Sequence, residues 1–224
     1  MRHFLLLLVL FGRDELADAS AKLNEGYAFS LEAKNETIPT REPALTLAGA
    51  WTKDSPLQAT SGDVEMFRGP SLAWKSKNGA WARFDPKAGV RANEQERHAL
   101  FTRVLRLRPP HEEIAAVAKA LKNAKKGKDG VIEGDLGAEG CIDVVCDGKV
   151  TPMPAMQTNH AGRVKAWIEK GAVAKYEIAI TWTEKAISHV GESTTVVTWR
   201  KTVTLKDVGA TKIEVPEAIK KLLE

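Results

Sequence analysis

Apolar and polar residues alternate along the last third of the chain. In residues 175–183 the odd positions are mostly polar, whereas the even positions carry Tyr176, Ile178, Ile180 and Trp182. A period of two with one polar face is typical of an antiparallel sheet that has one face in contact with solvent. We therefore predict an antiparallel sheet whose apolar face requires a cover.

The same alternation continues in residues 195–206. The apolar face of this segment carries Val197, Trp199, Val203 and Leu205. Lys201 interrupts the apolar row, which predicts that this end of the strand lies at the rim of the sheet. Trp182 and Trp199 lie on the apolar faces of their strands, so they either fill the core or line a cavity.

Shorter extended segments precede this region. They are predicted at residues 27–34, 45–51, 63–68, 72–75 and 81–84. Asn78 and Gly79 give a strong hairpin signal between the last two segments. Residues 54–62 are interpreted as a turn, and residues 149–161 as a loop.

The middle of the chain changes to helical periodicity. Two helices are predicted, at residues 93–107 and 110–124, and the apolar side of the second carries Ile114, Val117, Ala118 and Leu121. Glu112 and Glu113 follow Pro110 in its first turn, where acidic groups complement the helix dipole, so we interpret them as structural rather than catalytic. Helices inserted into an antiparallel sheet lie over one of its faces.

Length and charge limit the classes of function. The chain has 224 residues and a formal net charge of +4 at pH 7, with both signs interspersed. This length suits one domain with a substantial core. The lysine-rich residues 119–128 are interpreted mostly as a helix end, so we expect no nucleic-acid partner.

The N-terminus carries an apolar run. Arg2 and His3 precede the eight apolar residues 4–11. A run of this length is too short to span a bilayer and is typical of the core of a secretory signal. The alternative interpretation is a plain hydrophobic start of a helix.

A cleavage motif follows the apolar run. Ala17 and Ala19 have the small-residue spacing that signal peptidases require. We therefore predict that residues 1–19 are a signal peptide outside the fold and that residues 20–224 form a single domain. This processing places the mature protein in the periplasm or cell envelope.

The sequence contains no recognisable catalytic or metal-binding constellation. The five histidines are scattered over different elements, at His3, His98, His111, His160 and His189. Cys141 and Cys146 have a spacing poorly suited to a bridge and are interpreted as small buried residues, with a disulfide as the minor alternative. The G-x-S-x-G motif of hydrolases is absent. We predict a non-enzymatic protein without cofactor or metal.

Three phrases carry a resemblance to a known family. They are "NGAWARFDPKAG" at residues 78–89, "VKAWIEKGAVAKYEI" at residues 164–178 and "VTLKDVGATKIEVPEAIKKL" at residues 203–222. Together with the order of elements, they resemble the LolA/LppX-like family of exported lipid and lipoprotein carriers. The last two phrases, with residues 110–126 and 131–140, also resemble exported proteins of planctomycetes and verrucomicrobia.

The resemblance implies a mainly β fold with helices, of the α+β class. A curved antiparallel sheet would form an incomplete barrel, covered by α-helices over a hydrophobic cavity, with the helical insertion at about residues 93–124. Residues 90–148 depart from the dedicated lipoprotein carriers, so the resemblance implies general binding of a lipid, an acylated protein or another hydrophobic ligand.

We expect the ligand cavity to lie between the sheet and the second helix. Its candidate lining residues are Tyr176, Ile178, Ile180, Trp182, Val197, Trp199, Ile114, Val117 and Leu121. The expected partners are a lipid or acyl chain and membrane-associated proteins, with the protein acting as a monomer. The alternative is a structural or interaction module of the cell envelope, in which the last three of these residues fill the space.

Overall fold

One antiparallel sheet dominates the structure. The computed structural model describes residues 2–37, 44–88, 91, 94–127, 129–145, 157–188 and 191–224, and of residues 2–11 and 187–188 the backbone alone. Within these residues the sheet has 11 strands, which are β1 (Tyr27–Asn35), β2 (Leu45–Thr52), β3 (Ser55–Ser61), β4 (Val64–Arg68), β5 (Leu72–Lys75), β6 (Trp81–Arg83), β7 (Leu121–Lys126), β8 (Val131–Leu136), β9 (Gln157–Glu169), β10 (Ala172–Ser188) and β11 (Gly191–Lys206).

The strand order is β6-β5-β4-β3-β2-β1-β11-β10-β9-β8-β7. Two meanders, β1 to β6 and β7 to β11, therefore meet where the first strand pairs with the last. The sheet is open, with β6 and β7 as its edges. The predicted fold class, a large antiparallel sheet with helices, is confirmed.

The helices cover both faces of the sheet. They are α1 (Arg2–Ala21), α2 (Gln95–Arg106), α3 (Pro110–Ala120), α4 (Ala138–Val145) and α5 (Glu217–Leu223), with a 3₁₀ turn at Lys22–Glu25 after α1. Residues of α1 to α4 join the main core on one face. On the other face, α5 packs Ile219 and Leu223 against Phe67 and Ala73.

The alternation along the last strands has the expected effect. Tyr176, Ile178 and Ile180 are fully buried, whereas the residues between them are partly exposed. The partner strand continues the same face, because Tyr176 lies opposite Val203 in the register of β10 and β11. The apolar face of β10 and β11 thus forms the sheet side of the main core.

Two element predictions were wrong. Residues 54–62, interpreted as a turn, contain the strand β3, whose Leu57 and Ala59 face the core. The second predicted helix ends at Ala120 rather than at residue 124, and the chain continues as β7, with Leu121 opposite Leu136 of β8. In both cases pairing with a neighbouring strand overrides a weak local preference.

The predicted signal peptide overlaps a helix that packs against the sheet and α3. Leu16 and Ala19 of α1 are buried in the main core. Arg13 donates hydrogen bonds to the carbonyl oxygens of Ala118 and Lys119 at the end of α3, at 3.1 and 2.6 Å. Residues 12–19, predicted to lie outside the fold, thus pack against it in this structure, which does not test the cleavage expected from the sequence.

Some predicted features lie outside the described residues. Cys146 and His189 belong to this group, as does most of the predicted loop at residues 149–161. The described end of that segment, from Gln157 onward, is already part of β9. Cys141 is a buried free thiol, and burial raises its pKa to about 11, which fits the predicted role of a small apolar residue.

Gly49 is required by a close approach between strands. A Cβ atom at this position would lie 2.8 Å from Cζ of Phe29 and would overlap the carbonyl oxygen of Gln58. We expect Gly49→Ala to lower the free energy of unfolding by about 1–3 kcal/mol through overpacking. Urea denaturation measures this loss.

The matched control is Gly69→Ala. A Cβ atom there would make an ordinary contact of 3.6 Å with Leu223, and the backbone requires no left-handed conformation. We expect stability to stay unchanged or to rise by up to about 1 kcal/mol. Equal losses in the two variants would contradict the packing assigned to Gly49.

Candidate functional site

The residues predicted to line a cavity come together in the main core. Eight of them are buried, and Trp199 packs against the core while partly exposed. Ile114 and Val117 project from α3, whereas Leu121 lies at the start of β7 rather than on the helix. In this closed arrangement the three side chains lie within the protein core, so a cavity beneath α3 remains a prediction.

A buried ion pair joins α3 to the inward face of β11. Nζ of Lys201 lies 2.6 Å from Oε1 of Glu113, and the two side chains are only 3% and 1% exposed. The hydroxyl group of Tyr176 donates a hydrogen bond of 2.6 Å to Oε2 of the same carboxylate. Both carboxylate oxygens are therefore satisfied inside the core, as a buried charge requires.

The prediction that Lys201 lies at the rim was wrong. Lys201 belongs to the inward face of β11 and is 2% exposed. Its cross-strand neighbours are Ala33 on β1 and Ile178 on β10. The interpretation of Glu113 is also incomplete, because this residue lies in the first turn of α3 but also pairs with Lys201.

A second polar contact lies at the N-terminus of α3. The hydroxyl group of Tyr27 lies 3.0 Å from Nδ1 of His111 and accepts a hydrogen bond of 3.3 Å from the backbone N–H of His111. When Nδ1 is the unprotonated nitrogen of the neutral imidazole, the phenol donates its hydrogen to it. The indole of Trp51 contacts the same ring at a tilt of 31°, with centroids 3.8 Å apart.

Burial controls the protonation of this contact. Desolvation, with a smaller effect of the positive charge of Arg68, lowers the pKa of His111 from 6.5 to about 4. Desolvation also raises the pKa of Tyr27 above its ordinary value. Both groups are therefore neutral at physiological pH, so the hydrogen bond between them is stable there.

The lowered pKa predicts a loss of stability in acid. His111 in the unfolded chain gains its proton near pH 6.5, whereas the folded protein resists protonation until about pH 4. Between these values the unfolded state binds more protons, so stability falls as the pH falls. Between pH 7 and pH 4, we expect the free energy of unfolding of the unchanged protein to fall by about 1–2 kcal/mol more than that of His111→Gln. This difference is smaller than the full pKa shift implies, because solvent screens the edge of the imidazole ring.

Urea denaturation of both proteins at a series of pH values measures the difference. The variant also reports the acid sensitivity of all other groups, because these are unchanged. Parallel stability curves for the two proteins between pH 4 and pH 7 would contradict the assignment of a neutral buried imidazole to His111.

An arginine joins the sheet to α2. Nη1 of Arg68, at the end of β4, donates hydrogen bonds to the carbonyl oxygens of Val104, at 3.2 Å, and Leu107. These carbonyl groups lie at the C-terminus of α2, where the dipole favours a positive charge. The Val104 carbonyl also accepts a hydrogen bond of 3.3 Å from the backbone N–H of Leu107. We refer to Arg68, Tyr27, His111, Glu113, Tyr176 and Lys201 as the buried polar cluster.

The N-terminal half of α2 lies over aromatic residues with open space beside it. The guanidinium of Arg97 lies 5.1 Å from the ring centroid of Trp74, and Phe101 contacts the same indole. Two clefts of about 340 and 210 Å³ share Trp74 and Arg97 as lining residues. The smaller cleft also includes Phe84 and Phe101, so its wall is partly aromatic.

A third cleft lies on the polar face of the sheet. Its volume is about 540 Å³, and its lining includes the hydroxyl groups of Ser30, Thr46, Thr60 and Thr202. None of the nine predicted cavity residues lines any of these three clefts. The aromatic clefts beside α2 were therefore missed by sequence reasoning, although Trp74 and Phe84 flank the predicted hairpin.

The described residues contain no group of three or more His, Cys, Asp or Glu side chains placed to hold a metal ion. In the same part of the chain, no helix combines the length and the apolar character needed to cross a membrane. The buried polar cluster joins the covering helices α2 and α3 to the sheet.

Fold and site together define an open antiparallel sheet whose helical cover is fixed by buried polar contacts. No family model and no curated protein matches the sequence. Among solved structures, the chain is similar to LprF from Mycobacterium bovis, with 13% sequence identity and a TM-score of 0.44. The alignment covers 93% of this chain and 97% of LprF.

Proposed function

We propose that the protein is a non-enzymatic, exported binding protein for a lipid, an acylated protein or another hydrophobic ligand. The ligand is held between the sheet and the segment formed by α2 and α3, and the described structure is the closed form of this cover. The observation that carries this proposal is the ion pair between Glu113 and Lys201 at the contact between cover and sheet.

The ion pair favours a cover that opens. Apolar side chains would stabilise a permanently closed core at least as well. The attraction between two buried charges exceeds the free energy lost on their desolvation by little. A cover that lifts exposes both charges to water, where each is well solvated. Opening thus returns the desolvation free energy of Lys201 and Glu113, and it uncovers Tyr176, Ile178 and Ile180 for an acyl chain.

The clefts beside α2 supply the entrance. The partly exposed Trp74 lines the smaller cleft together with the buried rings of Phe84 and Phe101. Ligand pockets are mostly apolar with a few polar groups that fix orientation. Arg97, over the indole of Trp74, is the polar group placed to contact a carboxylate or phosphate head while the chain passes beneath α2.

The remaining features of the proposal follow from the same function. The protein acts as a monomer in the periplasm or cell envelope, exchanges its ligand with membranes or membrane-associated proteins, and has no nucleic-acid partner. It uses no cofactor, because holding and releasing a hydrophobic molecule involves no covalent step.

Titration with dansylundecanoic acid, a fluorescent fatty acid, tests the proposal. We expect saturable binding with enhanced fluorescence, and Trp74→Ala should weaken it about fivefold, which corresponds to about 1 kcal/mol of lost aromatic contact. The matched control is Trp167→Ala. Nζ of Lys175 lies 4.6 Å from the centroid of the Trp167 ring, so this indole also contacts a cation, but it lies on β9, far from β5 in the strand order.

Two results would contradict the proposal. One is the absence of saturable binding at any pH at which the protein is folded. The other is an equal loss of affinity in the two tryptophan variants, which would indicate nonspecific surface adsorption rather than entry beside α2.

The second candidate function is a closed structural or interaction module of the cell envelope. The burial of Ile114 and Val117 in one continuous core favours it. In that case the fatty acid does not bind, and removal of the buried ion pair changes stability but no ligand property.

A further inference from the structure

The N-terminal helix is fixed to the folded domain at the position where a signal peptide would be removed. Leu16 is fully buried, and Ala19 and Ser20 are 2% and 4% exposed. Cleavage after Ala19 would remove Leu16 and Ala19 from the core. It would also remove the hydrogen bonds of Arg13 to the end of α3. The packed part of α1 is thus a structural element of the domain.

The apolar run lies on the same continuous helix. The helix α1 extends over Arg2–Ala21, and its residues 4–11 are all apolar in the sequence. Every face of these two turns is therefore apolar, whatever their rotation. At 1.5 Å per residue the run is about 12 Å long, which is too short to span a bilayer but long enough to lie in its interface.

Exposed lysines surround the base of this run. A Cβ atom on Gly12 would lie 3.5 Å from the backbone of Ala124, so the base of the run lies next to β7. Arg13, which follows it, is hydrogen-bonded to the end of α3. The exposed basic residues of these two segments are Lys119, Lys122, Lys125 and Lys126. Of these, Lys126 pairs with Glu15 at 2.6 Å. In the register of β7 and β8, Asp135 lies opposite Lys122 and Glu133 lies opposite Lys125.

We propose that α1 is retained in the mature protein and that its residues 4–11, together with Lys119, Lys122 and Lys125, dock the domain on an anionic lipid surface. The apolar turns insert at the boundary between head groups and acyl chains, and the lysines contact lipid phosphates. This inference does not rest on ligand binding. It adds a membrane-facing side to the molecule, at the C-terminal end of α3.

Intact mass and vesicle binding test the proposal with the full chain. After expression in an exporting bacterium, we expect a mature mass that includes residues 4–11. We expect co-sedimentation with vesicles of phosphatidylcholine and phosphatidylglycerol, and weaker binding to phosphatidylcholine alone. Raising the salt concentration should weaken the binding to anionic vesicles.

Two sets of variants separate the contributions. Lys119→Gln/Lys122→Gln/Lys125→Gln should weaken binding to anionic vesicles about tenfold or more, at about 1 kcal/mol per lysine, and Leu6→Asn/Leu8→Asn should weaken binding to both kinds of vesicle. The control, Lys212→Gln/Lys221→Gln, changes exposed lysines near α5 and should bind like the unchanged protein.

Three results would overturn the proposal. A folded mature protein that begins at Ser20 would show that α1 is dispensable. Equal binding to neutral and anionic vesicles would remove the role of the lysines. If the control variant and the variant with Lys119, Lys122 and Lys125 replaced lost equal affinity for anionic vesicles, binding would depend on net charge and not on the position of these lysines. Circular dichroism of each variant checks that the fold is intact.

Discussion

Replacing Lys201 with alanine is expected to lower the free energy of unfolding by about 3–5 kcal/mol, because it leaves a buried carboxylate without its charge partner. Glu113 is 1% exposed, so water cannot replace the lost ammonium group without rearrangement of α3. A loss of this size is a large part of the total stability of a typical domain, which is about 5–15 kcal/mol. Urea denaturation monitored by tryptophan fluorescence measures it.

Two further variants keep this prediction testable if the single variant does not fold. Lys165→Ala removes an exposed ion pair with Glu133, whose side chains are 43% and 38% exposed, and should cost less than about 1 kcal/mol. The triple variant Glu113→Leu/Lys201→Met/Tyr176→Phe replaces the whole buried contact by apolar groups and should recover most of the lost stability. A triple variant as unstable as Lys201→Ala would contradict the charge-burial account.

Replacing Leu16 with alanine is expected to lower the free energy of unfolding by about 2–5 kcal/mol, because a fully buried leucine leaves a cavity that the core fills only in part. Leu16 is 0% exposed and belongs to the main core beside α3. The same urea denaturation measures the loss.

The matched control is Leu222→Ala on α5, where the side chain is only partly buried. We expect a loss of about 1 kcal/mol or less, since less apolar area leaves water on folding. If Leu16→Ala were as stable as the unchanged protein, residues 12–21 would not be part of the folded domain, and the retention of α1 would lose its physical basis.

The fold was predictable where the periodicity was long and regular. The alternation of Tyr176, Ile178 and Ile180 correctly predicted an antiparallel strand with one buried face. The segments that failed carry weaker patterns. Residues 54–62 contain a proline and several polar residues, and they form a strand because β2 and β4 flank them on both sides.

The polar cluster was harder to predict because its members are distant in sequence. Lys201 and Glu113 are separated by 88 residues, and neither has a local pattern that reveals the partner. One signal was present: a lysine on an otherwise apolar strand face is either at a rim or paired with a buried acid. The position of the helix bearing Glu113 over β10 and β11 decides between these, and that position is a property of the tertiary structure.

The cavity residues illustrate the limit of sequence reasoning about function. Periodicity placed Ile178, Val197 and Ile114 on facing surfaces, and the structure brings them into one core. Core filling and ligand lining require the same apolar side chains, so the pattern alone does not separate them. What separates them is whether the cover formed by α2 and α3 opens, which depends on the free energy of the contacts at Arg68, His111 and Glu113.

The triple variant Glu113→Leu/Lys201→Met/Tyr176→Phe also tests whether the cover opens for the ligand. An apolar contact in place of Glu113, Lys201 and Tyr176 gains nothing from solvation when the cover lifts, so opening should become less favourable. We expect slower and weaker uptake of dansylundecanoic acid by a protein that remains stable. Unchanged uptake would indicate that the ligand does not pass beneath α3.

Native mass spectrometry of the protein isolated from a membrane-containing bacterium tests the central claim most directly. The unchanged protein is washed at high salt concentration, which weakens its docking on anionic lipid and so limits lipid carried along at the surface. We predict a population whose mass exceeds that of the polypeptide by one lipid, with the same lipid recovered by organic extraction. A protein that is lipid-free in repeated preparations, and that also fails to take up lipid from added vesicles, would contradict the proposed binding function.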